Sequence, residues 1–303
     1  MATGNLSYPF KGDIYYEVEA SYKAGFSGTQ LRISDAVQDV RIETGDINTE
    51  LMSISEPSII DFSKTMVDPT LHVEWVLQPH TGDSLISNCW SRSTTSCNLD
   101  SLAFEVAVNA CSTNSDRDAF YYLTGCRCKS FNVKASKGTN WIVSADFSVA
   151  SLSINTARQG TKPAAFGTPY ATFNIAGDIT WAGVTGAYVT EGFDFTVDHN
   201  LVDYWDVGNT TKKASIPGAI NITGSCDISL DNGGKTQMDE IIASTAITSV
   251  IFNTGQTAAG SNGKFTLKQG RFDSASIDVN LSGGTILSSV PFTFKTLTLA
   301  AGT

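Results

Sequence analysis

The chain has 303 residues, 41% of them hydrophobic and 17% charged, and its formal net charge is −10. This composition suffices for one or two ordinary hydrophobic cores, and no segment approaches the roughly 20 consecutive apolar residues of a membrane-spanning helix. The longest basic run is Lys212-Lys213. Specific nucleic-acid binding is therefore disfavoured, because contacts with phosphates need lysine and arginine.

The N-terminus and the cysteines predict the compartment. The opening Met-Ala-Thr-Gly-Asn-Leu-Ser lacks the charged and apolar regions of a secretory signal peptide, so we expect synthesis in a cytoplasm. Free thiols are the expected state of the six cysteines there. A bridge between Cys89 and Cys97 is the alternative that remains open.

The first repeated segment begins after an N-terminal arm, residues 1–28. Apolar residues alternate at Leu31 and Ile33, which indicates a strand, and the pattern of residues 31–39 returns at 195–203. The match pairs Val37 with Leu201, 164 positions apart.

Two long polar segments follow these strands, at about residues 42–70 and 205–224. They are too long for tight turns, and loops of this length in compact domains are usually functional or disordered. We therefore expect them to contact other molecules. The candidate residues for such contacts are Gly45, Pro57, Asp68, Gly208, Lys212 and Pro217.

Each copy then continues as strand, short helix and strand. Alternating apolar residues predict strands at 71–75, 102–108, 226–230 and 249–252. Apolar residues at helical spacing predict one helix in each copy. The two stripes are Leu85, Ile86, Cys89 and Trp90, and Met238, Ile241 and Ile242.

A hairpin closes each copy, at residues 123–154 and 268–299. Phe131, Val133 and Ala135 match Ile277, Val279 and Leu281 at a spacing of 146 positions, and both second strands break their alternation at the same place. One extra residue has this effect, so we expect a β-bulge in each copy. The sequence thus predicts a mostly β protein of two tandem domains, residues 1–154 and 155–303, each a β-sandwich or open barrel with one flanking α-helix.

No group of residues predicts catalysis. The three histidines have no metal-ligand spacing, and His72 and His199 are expected on the surface. Gly233-Gly234-Lys235-Thr236 is similar to the end of a phosphate-binding loop, but Ser229 stands where that loop needs glycine. We expect no enzymatic activity, no metal and no cofactor.

Three stretches resemble the tail tube proteins of long-tailed bacteriophages and related archaeal viruses. They are T-G-C-R-C-K-S-F-N-V-K-A at 124–135, F-D-F-T-V-D-H-N-L-V-D at 193–203 and S-C-D-I-S-L at 225–230. The resemblance implies tail-tube-like domains that give strands to a shared barrel, with six domains in one ring and rings stacked into a tube. Two domains per chain would then give trimeric, pseudo-hexameric rings.

The same resemblance implies the partners and the location. These are further copies of the chain, a tail terminator, and tail tip and tape measure proteins, in a virion tail assembled in the host cytoplasm, with no membrane. Viral DNA would pass through the lumen without specific binding, because an acidic wall repels it. The lumen candidates are Asn132, Lys134, Asp278 and Asn280.

Two alternatives remain open at this stage. The first is a β-sandwich module of a tail tip or baseplate, or one that binds carbohydrate through Trp141, Trp181, Tyr188 and Trp205. The second is the inner tube of a contractile injection system, which would carry protein.

Overall fold

The computed structural model describes residues 11–52, 59–78, 85–90, 98–109, 119–167, 170–171, 179–185, 189–230, 234–254, 264–273, 276–278 and 286–300. The chain is mostly β, with antiparallel strands and two helices in these ranges, as the sequence predicts. Below, the first half is residues 11–155 and the second half is residues 179–300.

The described residues of the first half form ten strands and the helix α1 (Leu85–Trp90). The strands are β1 (Lys11–Val18), β2 (Leu31–Arg32), β3 (Val37–Glu43), β4 (Asp46–Met52), β5 (Ile59–Val67), β6 (Thr70–Val76), β7 (Leu102–Asn109), β8 (Ala119–Ser136), β9 (Ile142–Ser148) and β10 (Ser151–Asn155).

In the second half, the residues that the structure describes also form ten strands, with the helix α2 (Gly234–Ile242). The strands are β11 (Ile179–Ala182), β12 (Val189–Asp198), β13 (Val202–Trp205), β14 (Lys212–Ile216), β15 (Asn221–Leu230), β16 (Ala246–Asn253), β17 (Lys264–Phe272), β18 (Ser276–Asp278), β19 (Ile286–Phe294) and β20 (Thr296–Ala300).

Eight strands form one continuous antiparallel run that crosses from the first half into the second. Their order is β3-β6-β9-β8-β12-β15-β19-β18. Strand alternation puts apolar side chains on one face of this run, so Val133 and Phe195 are buried, whereas Asp194 is exposed.

A second layer packs on the buried face in each half. In the first half it contains β1, β7, β10 and the beginning of β8, and the ring of Phe104 on β7 lies 4.9 Å from that of Phe147 on β9. In the second half the rings of Phe252 on β16 and Phe193 on β12 lie 4.5 Å apart. Each half is therefore a β-sandwich whose inner faces meet in an aromatic core.

The two polar segments predicted as loops hold strands of their own. β4 pairs with β5 and β13 pairs with β14, each as a two-stranded sheet separate from the main one. The loop prediction is wrong because a hairpin satisfies its backbone groups within itself and needs no buried apolar face to do so.

Both predicted helices are present, and α1 buries Leu85, Ile86 and Cys89 as expected. In α2 the apolar stripe is narrower than predicted. Ile241 is buried, but Ile242 is 77% exposed, because it lies at the last turn and points away from the sheet.

The strand registers repeat between the halves at a spacing that differs from the predicted one. β3–β6 has a bulge between Val37 and Asp39, and β12–β15 has one between Thr190 and Gly192, 153 positions later in both cases. The match of Val37 with Leu201 is therefore wrong, since the counterpart of Val37 in the ladder is Thr190.

The match of Phe131 with Ile277 is wrong as well. Ile277 is joined through Ser288 to Ile228, as Val133 is joined through Val143 to Trp75, so the counterpart of Ile277 is Val133.

The predicted irregularity of the closing hairpins is a strand break in both halves. β9 ends at Ser148 and β10 begins at Ser151, and both pair with β8. Likewise β19 ends at Phe294 and β20 begins at Thr296, and both pair with β17. The bulge lies on the opposite strand, β8, between Cys128 and Ser130, where this long strand passes from one layer to the other.

The segment that joins the halves packs on the first half. The backbone N–H of Gln159 donates to Glu105 Oε2 at 2.5 Å, and that of Thr161 donates to Gln30 Oε1 at 2.9 Å. Further on, β11 pairs with β16 as β1 pairs with β7. The boundary between residues 154 and 155 stays a prediction.

Candidate assembly surface

The two halves join edge to edge through β8 and β12. Seven residue pairs form this ladder, from Ser130–Asp198 to Ser136–Gly192. On its exposed side, Asn132 Nδ2 donates to Asp194 Oδ1 at 2.5 Å and to Thr196 Oγ1 at 3.0 Å. Backbone pairing between different halves thus makes one sheet of two sandwiches.

Trp141 reinforces this junction from the buried side. Its indole is fully buried, 4.8 Å from the ring of Phe193 and 6.1 Å from that of Phe265, both in the second half. The backbone of Leu77 donates to the Trp141 carbonyl at 2.8 Å, which fixes the turn that carries the indole. The β8–β9 turn of one half is therefore part of the core of the other.

A buried lysine joins the halves at the base of the two hairpins. Lys212 has no exposed side-chain surface, and its Nζ contacts Asp68 of the first half, Asp203 at 3.0 Å and Ser148 Oγ at 2.6 Å. Close by, the backbone N–H of Val67 donates to the Thr210 carbonyl at 2.8 Å. These contacts hold the β4–β5 hairpin against the β13–β14 hairpin.

The five predicted loop contacts that the structure describes fall into three groups. Gly45 and Asp68 meet at the base of the first hairpin, where the φ of Gly45 is +59° and a Cβ would collide with the Asp68 carbonyl. Gly208 and Pro217 lie at accessible positions around the second hairpin, whereas Lys212 is buried inside the chain. Pro57 lies outside the described residues.

The lumen candidates of the first half lie on the exposed face of the eight-stranded run. Lys134 Nζ lies 3.2 Å from Glu74 Oε2, and Asn132 is the donor to Asp194. In the second half, Asp278 lies in β18 opposite Leu287, and Asn280 is outside the described residues.

This face carries more acids than bases in the part of the chain that the structure describes. The acids on its strands are Asp39, Glu43, Glu74, Asp146, Asp194, Asp198 and Asp227, and the bases are Arg41, Lys129 and Lys134. His72 also faces this side, with Nδ1 2.7 Å from Asp146 Oδ1, so its predicted surface position is confirmed.

The run has an open strand at each end. Within the described ranges β3 pairs only with β6, and β18 pairs only with β19. An unpaired strand edge presents a row of N–H and C=O groups to any matching strand. Beside β3 lies a groove of about 360 Å³ whose walls include Ile14, Val37, Val40 and Val106. Neither this groove nor the insertion of Trp141 can be predicted from the sequence, since both depend on which strands become neighbours.

Several predicted surface groups are buried. His199 is fully buried, and its Nε2 lies 2.8 Å from the Cys89 carbonyl oxygen, so its predicted surface position is wrong. The hydrogen bond to α1 offsets the cost of burying the imidazole.

Trp181 is partly buried and lies 5.5 Å from the ring of Phe272, and the partly buried Trp205 faces Lys212. With Trp141 these aromatics are packing residues, and Tyr188 lies outside the described residues.

Cys89, Cys126, Cys128 and Cys226 are buried free thiols, and burial raises the pKa of the last three well above the ordinary value. Cys89 is thus a free thiol, and Cys97, the other member of the alternative bridge, lies outside the described residues. Within the described ranges, no cluster of three or more His, Cys, Asp or Glu side chains could hold a metal ion. No helix there is long and apolar enough to cross a membrane.

Two comparisons with known proteins bear on the family of the chain. No curated protein matches the chain. A family model described as phage tail tube protein matches residues 27–295, which is most of the chain. The edge-joined sandwiches thus occur in a sequence whose family is defined over nearly its full length, and the chain belongs to the phage tail tube protein family.

Proposed function

We propose that this chain is the major subunit of a viral tail tube and that three copies form each ring, with rings stacked into the conduit for genome delivery. The observation that carries the proposal is the β8–β12 junction, which joins two similar sandwiches; among the described residues, β3 and β18 have one strand neighbour each, at the two ends of the run. The same kind of junction can join one chain to the next.

Symmetry supports a closed ring. When two different surfaces of a protein contact each other, the contact repeats head to tail from one copy to the next. The series of copies closes into a ring when a whole number of the rotations at each contact makes a full turn. If the contact between chains has the geometry of the contact between halves, three chains give six equivalent joints. The constant spacing of 153 residues between the β3–β6 and β12–β15 ladders supports such equivalence, and we attribute it to duplication of an ancestral domain.

The lumen follows from the two faces of the run. The apolar face is covered by the second layer of each sandwich, so the polar face is free to line a channel. Its excess of carboxylates would repel the DNA backbone and let the genome pass without binding. Asn132, Lys134 and Asp278 would lie on this wall.

Stacking of rings requires a second surface, which we assign to the hairpins β4–β5 and β13–β14. On β13–β14 the cross-strand neighbours Val202 and Ile216 are 50% and 45% exposed, and Tyr204 is 48% exposed on the same face. Adjacent exposed apolar side chains of this kind mark contact surfaces more often than isolated ones do.

Electron microscopy of the purified chain tests the proposal directly. We expect rings with threefold or pseudo-sixfold symmetry, and tubes at higher protein concentration. A monodisperse monomer at all concentrations would contradict it. We place the assembled protein in the virion tail, built in the host cytoplasm, where a terminator and tail tip and tape measure proteins would bind the two ends of the tube.

A further inference from the structure

We propose that a second copy of the chain docks with its β18 along β3, in the one register that places Asp278 opposite Arg41. This inference rests on the ring assembly proposed above and specifies its joint. Three steps lead to it, each from the strand registers within one chain.

The first step identifies the counterpart of Arg41. In the first half, Val40 pairs with Val73 and Ile42 with Leu71. In the second half, Phe195 pairs with Gly224, and these two residues lie 153 positions after Ile42 and Leu71. The ladders coincide at a spacing of 153, as their bulges show. Arg41 therefore occupies in β3 the position that Asp194 occupies in β12.

The second step identifies the counterpart of Lys134. Lys134 pairs with Ile142, which pairs with Val76, and Asp278 pairs with Leu287, which pairs with Ser229. Val76 and Ser229 are again 153 positions apart. Asp278 therefore occupies in β18 the position that Lys134 occupies in β8.

The third step combines the two. Within the chain, Lys134 of β8 lies directly opposite Asp194 of β12. At the joint between copies, the equivalent positions bring Asp278 opposite Arg41. Both charges are reversed, so the facing residues again have opposite charges. The adjacent pair Val133–Phe195 has the counterpart Ile277–Ile42, which is also apolar.

The groove beside β3 is explained by the same relation. Val40 and Val106 line it, and their counterparts Phe193 and Phe252 lie around the position where the second half receives Trp141. Trp141 is hydrogen-bonded to Leu77, and Ile286 is paired with Leu230, 153 positions after Leu77. The groove thus lies where the beginning of β19 of a second copy would be placed, with Ile286 at the ladder position of Trp141.

A charge exchange tests the register. We expect Arg41→Glu and Asp278→Arg each to weaken association at every joint by about tenfold, because like charges face each other in both, and the double variant to restore it. Ring and tube fractions are measured by sedimentation velocity and microscopy. Lys268→Glu is the matched control, since Lys268 is exposed on β17, which pairs with β16 and β20 and lies away from both open strands and from both hairpins.

Cysteine crosslinking provides a second measurement that does not depend on electrostatics. Glu43 and Ser276 are the counterparts of Thr196 and Asn132, which lie opposite each other. We expect Glu43→Cys with Ser276→Cys to give covalent dimers and trimers on oxidation by diamide, and each single variant to give none.

The outcomes separate this joint from ring assembly itself. If the unmodified chain forms no rings, the proposed function fails and the joint with it. If rings form while Arg41→Glu assembles normally, or while the double cysteine variant gives no crosslink, the rings exist but this register is wrong. Restoration by the double charge variant together with the crosslink supports it.

Discussion

Trp141 and Phe193 belong to different halves of the chain, and their rings lie 4.8 Å apart in a buried contact. The indole thus fills the core of a sandwich that its own strands do not form. This relationship makes the two halves one folding unit, although each has its own aromatic core.

Trp141→Ala should therefore destabilise the whole chain. Removing a fully buried indole leaves a cavity between the halves, and we expect a loss of about 3–5 kcal/mol in the free energy of unfolding. Urea denaturation followed by far-UV circular dichroism measures it. Tyr204→Ala serves as the control, since this half-exposed residue should change stability by less than about 1 kcal/mol. Equal effects of the two variants would contradict the role of Trp141.

Lys212 should couple the two hairpins. In Lys212→Met the carboxylates of Asp68 and Asp203 lose their common partner. We expect the free energy of unfolding to fall by about 2 kcal/mol, which is less than for deeply buried ion pairs because both acids retain some exposure. The control is Lys213→Met, at the exposed neighbouring lysine. We expect it to change the free energy of unfolding by less than about 0.5 kcal/mol.

A double-mutant cycle with Asp68→Asn isolates the contact between the hairpins. We expect the effect of Lys212→Met to become smaller when Asp68 is already neutral. Additive effects would show that Lys212 is not coupled to Asp68.

The loop between β1 and β2 should be sensitive to acid through Glu17. Burial would raise the pKa of this carboxyl, but hydrogen bonds from the N–H groups of Ser27 and Gly28 and from Gln30 lower it below its ordinary value. A lowered pKa stabilises the fold above about pH 4, the unfolded value, and this contribution is lost as the pH falls through the folded value.

Glu17→Gln should remove that dependence. At pH 7 we expect the free energy of unfolding of the variant to be about 1–3 kcal/mol lower than that of the unmodified chain, because its amide places N–H groups against N–H donors. As the pH falls, we expect the free energy of unfolding to decrease less in the variant than in the unmodified chain. Thermal denaturation between pH 3 and pH 7 measures both. Parallel curves for the two proteins would contradict the assignment.

The apolar face of β13–β14 should act in stacking and not in folding. Replacing Val202, Tyr204 and Ile216 by serine should shorten tubes and leave the melting temperature of the monomer nearly unchanged, because these side chains are about half exposed. Tube length in micrographs is the measurement. Ile154→Ser with Ile242→Ser is the control, since both residues are exposed elsewhere. If the tubes become shorter in the control alone, the assignment of the stacking surface to β13–β14 is wrong.

The sequence by itself determined the local elements. Alternation at Leu71, Val73 and Trp75 predicted β6, and the spacing of Leu85, Ile86 and Cys89 predicted α1, because periodicity follows directly from which side of an element is buried. Residues 124–135 and 193–203 indicated the family, and the family model agrees.

Only the tertiary structure decided which strands are neighbours. The burial of Lys212 and His199, the insertion of Trp141 and the spacing of 153 residues between the ladders all depend on pairing between segments far apart in the chain. A strand's own residues specify its two faces, but the partner at each edge is chosen by hydrogen bonds that every backbone offers equally. The side chains opposite one another, such as Lys134 and Asp194, become readable only once that partner is known.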